Sequence, residues 1–491
     1  PVMVVLATAD WMPDAAALGN PGAVRAENVF PGPTGYKPIR RLEVLTNALD
    51  DRPRGAVSAL DDSLVTYLYA GDEAKLYSLS GTTWSDVSKS GGYSTATDEL
   101  WEFARWKDTV IATNFSDNPQ TITMGGSNFA DLTTAFKARH IAVVRDFVVM
   151  ANTTDGTDGD KIDRVRWSAF NDATDWTVSS ITGADVRDLN TGGQIERVFG
   201  GEYGVILCQD AVFRMAYTGA PTWFRFDEVL PGVGPVSSGA AAQHGDLVFF
   251  LSRNGFVRLQ NGQQSTFIGA GRVDEFVLND LDSNHLRRMS AVVDPQANRV
   301  VWAYPGPGNV GGRPNRLVIY DYALDRWSYA VLETELVWSA TGVSLTLDQL
   351  DTISSSLDDI EVSLDSSSWK GGAPRLAAFD AAFKHGFFSG APMDAVIETK
   401  EVEPSPGRRS TVTAVRALVD GGAVSARVGT RSNLADAVSY GTARSPAAGG
   451  KIPARSAGRY VRVELSVSGE FTDIVGAQID PIYARAGGAR G

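Results

Sequence analysis

The chain has 491 residues, too many for one ordinary hydrophobic core, and its 43% hydrophobic and 21% charged content excludes a disordered or fibrous protein. A formal charge of −13 disfavours a surface built to grip duplex nucleic acid. The single cysteine, Cys208, excludes a disulfide scaffold or thiolate metal cluster, and four scattered histidines (His140, His244, His285, His385) leave little for a zinc site.

The N-terminal PVMVVLATADWMPD is apolar but has no basic flank, so it does not read as a signal peptide, and the leading Pro1 suggests a removed initiator methionine. No apolar run approaches the roughly 18 residues that a membrane-spanning helix needs. Residues 1–55 read as an N-terminal arm or closing segment, because Pro31, Pro33 and Pro38 favour extended or turn structure over helix.

From about 56 to 335 one pattern recurs: a short apolar strand, a turn, a second strand, and often an aromatic near its end. Examples are TVIAT before QTITM, FVVMA before RVRWSAF, YGVILC before AVFRMAY, DLVFFL before GFVRL, and NRVVWAY before RLVIYDY. Anchored at Val65, Val110, Val148, Val205, Val248 and Val300, the spacings are 45, 38, 57, 43 and 52 residues. Periods of roughly 40–50 residues with about four strands each are those of propeller blades, which must stack around an axis to bury both faces. The uneven spacing predicts a degenerate β-propeller of six to seven blades over 56–391, with 335–400 open to forming a blade closed by the N-terminal segment. A run of β-sandwich domains is the alternative.

Residues at about 340–370 break the pattern. Leu350, Ile353, Leu357, Ile360 and Leu364 repeat at the spacing of a short heptad seam, although Ser, Thr and Asp are poor helix-interior residues. This insertion is a candidate interface, open between packing on its own propeller and contact with a neighbouring subunit. Residues 392–491 alternate apolar and polar in VIETKEV, TVTAVRALV, VSARVGT and RYVRVELSV, which predicts a C-terminal antiparallel, β-sandwich-like domain.

Catalytic signatures are absent: there is no G-x-S-x-G, H-E-x-x-H or C-x-x-C, and AAGGKIP lacks the features of a phosphate loop. The GTTW turn at Gly81–Trp84 carries only the end of a sialidase-type Asp box. Asp155, Asp158 and Asp160, with Asp163, could wrap a hard cation, but their spacing fails the helix–loop–helix calcium pattern, and a solvated acidic hairpin loop is the favoured reading. Trp101, Trp106, Trp223 and Trp338 are candidate stacking platforms, although tryptophan at strand ends usually packs in the core. In RVRWSAFNDATDW, Arg164 and Arg166 share one strand face and Val165 and Trp167 the other. The two arginines are therefore candidates for pairing with acids of another subunit or of the same chain.

The ordered series VFPGPTGYKP, LYSLSGTTWSDVS, HIAVVRDFVVMAN, DRVRWSAFNDATDW, GGEYGVILCQDAVFRM, GDLVFFLSRNGFVRL and NRLVIYDYALDRWSYAVLE resembles the tail hub or nozzle (packaged-DNA stabilisation) proteins of short-tailed bacteriophages. The resemblance covers roughly residues 25–420 and is clearest between 140 and 335. It implies a β-propeller that assembles as a hexameric ring below the portal and adaptor proteins. Such a ring extends and gates the DNA channel and carries tail fibre, spike or needle proteins. It also implies a virion protein assembled in the host cytoplasm, with no catalytic centre, no cofactor and no stable membrane insertion. An acidic wall suits such a channel, since like charge lets DNA slide without specific binding. A propeller enzyme or lectin acting on envelope polysaccharide is the competing expectation.

Overall fold

The computed structural model describes residues 4–342 and 374–483, and the candidate seam Leu350, Ile353, Leu357, Ile360 and Leu364 lies outside them. The described chain is nearly all strand, with one short α-helix, Asp274–Asp280. Five successive four-stranded antiparallel meanders form separate blades. Their innermost strands are Gly55–Leu60, Glu102–Trp106, Phe136–Val144, Ile195–Phe199 and Ala241–His244. A further meander of four strands, Ser290–Asp294, Arg299–Tyr304, Arg316–Asp321 and Arg326–Val331, stands next in the circle. The last blade combines Leu336–Ala340, Arg375–Phe379 and Lys384–Phe387 with Glu43–Ala48 from the N-terminal segment. Its inner strand packs beside Gly55–Leu60 and closes the ring. Six of the sheets are therefore free-standing, and their closure joins residues more than 300 positions apart (Lys384 pairs with Ala48).

The meander at 290–331 has a second role: its outer strand continues into a large curled half-barrel sheet. Arg25–Glu27 bridges the two, pairing parallel at Tyr329 on one side and antiparallel with Ala395–Glu398 on the other. Beyond it, Ser410–Arg431 pairs with Tyr460–Tyr483 along its whole length. Register shifts around Leu418–Ala423 bend this ribbon, and Gly421 and Gly422 sit at φ 92° and 73°, where a side chain is strained. Val4–Ala7 adds to the ribbon's far end, and the proline-rich stretch forms the small hairpin Val29–Pro31/Tyr36–Pro38. The C-terminal strands are thus hydrogen-bonded into one sheet with the propeller's sixth meander. Their core is also shared: Trp11, Tyr36, Trp302 and Trp327 are buried in one apolar cluster with Phe256 and Ile474.

Neighbouring blades touch backbone to backbone where their inner strands converge. A Cβ built on Gly200 would lie 1.9 Å from the Val143 carbonyl oxygen of the preceding blade. There Gly201 N donates to Val143 O at 2.9 Å, and Arg145 N donates to Gly201 O at 2.8 Å. Gly200→Ala is expected to force the third and fourth blades apart and to cost at least about 1–3 kcal/mol, the usual penalty of overpacking, read as a lowered midpoint of urea unfolding.

Candidate functional site

The inner strands surround an axial cavity of about 650 Å³. Small and polar residues such as Ser58, Gln243 and Ser339 line it together with Phe103, Phe199 and Trp338. All the inner strands start at the same face of the ring. Except at Ala241–His244, arginines or glutamates stand just ahead of these strands or within them, and they form a charged belt at one mouth of the tunnel.

The belt is built from the segments that lead into each blade. Arg54, 3% exposed, donates from Nη1 to Thr95 O at 2.7 Å and from Nη2 to Glu73 Oε2 at 2.8 Å. Arg52 donates to Thr97 O at 2.8 Å, so the two arginines grip the loop ahead of the second blade. Arg139 of the third blade holds the same loop through a two-pronged pair with Glu99, at 2.6 and 2.9 Å. Beside them, at the closing blade, Glu335 accepts from Arg288 at 2.5 Å and from Arg313 at 2.6 Å.

Deeper in, Glu102 is 3% exposed. Its Oε1 meets His140 Nδ1 at 2.8 Å and Arg197 Nη1 at 2.7 Å, and its Oε2 accepts from Ile141 N at 3.3 Å. The other ring nitrogen of His140 faces Ile195 O at 3.0 Å. Both ring nitrogens therefore face oxygen atoms. Burial raises the Glu102 pKa, but Arg197 and His140 outweigh it, and the carboxyl ends below its ordinary value. Glu196 has no such partners within ion-pair distance, and burial pushes its carboxyl up.

The candidates read from the sequence lie elsewhere, on the outer part of the third blade. Arg164 holds Asp188 through two bonds, at 2.6 and 3.0 Å, and reaches Asp158 at 2.5 Å. Arg166 reaches Asp155 at 3.3 Å and stacks on the Phe136 ring. The acids that pair with these arginines belong to the same blade, while Val165 and Trp167 face the core. Asp155 and Asp158 are thereby turned toward guanidinium groups, and Asp160 is exposed on the hairpin. Trp101, Trp106 and Trp338 are buried, and Trp101 Nε1 donates to Asp72 O at 2.8 Å. Trp223 remains half-buried, its ring stacked 6.3 Å from Phe170. Beside it Phe170, Val178 and Ile181 are 49%, 60% and 88% exposed.

The charged belt was missed in the sequence because its members are single residues scattered from 52 to 335. The signal that finds it is a charge just ahead of or at the start of five of the blades' first strands, at Arg54, Glu102, Glu196, Arg288 and Glu335.

The chain is a β-propeller. Among solved structures it is similar to BamB from Moraxella catarrhalis (12% identity, 78% of this chain and 97% of that one, TM-score 0.36). It is also similar to the Neurospora crassa Pan2 WD40 domain (9% identity, 69% and 96%, TM-score 0.37). A third likeness is to the extracellular domain of a putative one-component system from B. thetaiotaomicron (9% identity, 77% and 43%, TM-score 0.41). No protein-family model and no curated protein sequence matches the chain. At these identities the likenesses bear on fold alone, and the propeller rests on the strand topology described above.

Proposed function

We propose that this propeller is a structural virion protein, a tail hub or nozzle subunit of a short-tailed bacteriophage. In this reading it forms a ring, most simply a hexamer, below the portal and adaptor proteins, extends and gates the DNA channel, and carries fibres or spikes. The observation that carries the reading beyond the resemblance of ordered segments is the exposed apolar cluster Phe170, Val178 and Ile181 beside Trp223. Phe170 lies in the RVRWSAFNDATDW segment, within the stretch where the resemblance is clearest. A clustered apolar patch of this kind marks an association surface, and a heterologous contact repeated by rotation closes into a ring. The net charge of −13 suits a wall along which DNA moves without being held.

The test is the native mass of the purified protein by light scattering and electron microscopy, alone and with portal–adaptor complexes. A closed ring, formed alone or templated by the adaptor and lost in Ile181→Glu, is the expected result. A monomer that ignores the adaptor and binds or cleaves envelope polysaccharide overturns the reading in favour of an enzyme or lectin.

A further inference from the structure

The arginines at the tunnel mouth exceed what their neighbours satisfy. Arg288 and Arg313 both pair with Glu335, Arg313 also reaches Glu333 at 3.5 Å, and Arg54 uses Glu73 at the rim. Arg52 bonds only a backbone carbonyl, and Arg287 has no hydrogen-bond or ion-pair partner among the described residues. The Nε groups of Arg54, Arg197 and Arg288 are buried without an acceptor, and Arg54 and Arg197 line the cavity itself. An unmatched buried donor is costly, and a cluster of them around one cavity is a recognition device for an acceptor-rich group. Burial, and after it the neighbouring charges of Arg288 and Arg54, bring the Arg52 pKa down to about 10 against the opposing pull of Glu335 and Asp51. The carboxylate facing Arg287, Glu196, lies beyond ion-pair distance.

We propose that this mouth of the axial tunnel binds a small oxyanion of the phosphate or carboxylate class, held by Arg52 and Arg287 together with Arg54 and Arg288. The proposal stands on the belt's geometry and is independent of the tail reading. An oxyanion supplies several lone pairs in a compact volume, which matches guanidinium donors supplied by the segments leading into the first and sixth blades. It also brings negative charge to Arg52 and Arg287, which a neutral sugar or an apolar ligand does not.

The experiment is thermal unfolding and calorimetric titration of the full chain with inorganic phosphate and, separately, malonate, against sodium chloride at matched ionic strength. A saturable rise in Tm and measurable heat with at least one of the two is expected, with affinity weakened about tenfold in Arg52→Gln and in Arg287→Gln. Arg225→Gln, on the outer strand of the fourth blade, should bind as the parent does. The unliganded Tm of each variant in chloride reports whether it is folded. Response to phosphate alone or malonate alone assigns the class. No saturable response to either, or undiminished binding in both Arg52→Gln and Arg287→Gln, overturns the proposal.

Discussion

Glu102→Gln is expected to destabilise the protein by about 3–5 kcal/mol, the usual consequence of removing one partner from a buried ion pair. The side chain it replaces accepts from His140, Arg197 and the Ile141 amide at once, and His140 is fully buried. The neutral amide keeps the shape but leaves the Arg197 guanidinium without its counter-charge and His140 without the carboxylate it faces. The cost is shared between the second, third and fourth blades, because Glu102, His140 and Arg197 belong to their respective inner strands. The same carboxylate also sets an acid limit. Its folded pKa lies below 4.5, so its stabilisation is complete above that value and is lost as pH falls through the lower, folded value. Chemical unfolding at pH 7 and pH 4 measures both effects. The parent should weaken between the two, and Glu102→Gln should start lower and lose less. A variant as stable as the parent at pH 7 excludes this account of the belt.

Much of the propeller was legible in the sequence, for a physical reason. Val110, Val148, Val205, Val248 and Val300 all fall on the second strand of a blade, and Val65 immediately precedes one. Second strands are covered by neighbouring blades on both faces, so they read as unbroken apolar runs such as Gly204–Cys208 and Leu247–Ser252, every residue but Leu247 buried. First strands line the tunnel and mix polar with apolar residues, as in Glu102–Trp106 and Ile195–Phe199, and they leave little periodic trace. The charged belt hangs from those first strands and was missed with them. Arg164 and Arg166 were legible as residues but not as partners, since strand alternation places side chains on a face and does not say whose carboxylates stand opposite. The union of Arg25–Glu27 with the 290–331 meander and with Ala395–Glu398 was also beyond reach, because pairing across some 300 residues carries no local signature.

The N-terminal segment supplies the fourth strand of the closing blade, holds the link from propeller to half-barrel, and then lines the half-barrel's far end. Asp10 ties it down further, accepting from Arg272 at 2.5 Å and from Trp327 N at 2.7 Å. A propeller ring gains most from such a clasp at its seam, where the two ends of the chain meet and no covalent link passes between blades. The seam here lies between the closing blade and the first, and its core contains a titratable group.

That group is His385, and it gives the second large effect. It is 1% exposed, packed among Trp84, Trp338, Phe379 and Phe387 at ring distances of 5.1–6.3 Å, and its Nδ1 has no hydrogen-bond partner among the described residues. Burial alone pushes its pKa from 6.5 down to about 3, so the folded protein keeps the ring neutral. Below pH 6.5 the unfolded chain takes up a proton that the folded chain refuses, and stability therefore falls with falling pH until the folded pKa is reached. At one pKa unit per 1.36 kcal/mol, the loss by pH 5 is about 2 kcal/mol. The full shift makes protonation of the seam incompatible with an intact aromatic cluster. His385→Leu, similar in volume and without a charge to gain, should remove this part of the pH dependence. Urea unfolding of parent and variant at pH 7 and pH 5 decides the matter, with the parent losing about 2 kcal/mol more than His385→Leu. Equal losses in the two proteins would place the acid sensitivity elsewhere. A larger loss in the parent locates it at the seam, where the strand Glu43–Ala48 closes the ring and where acid should loosen the propeller first.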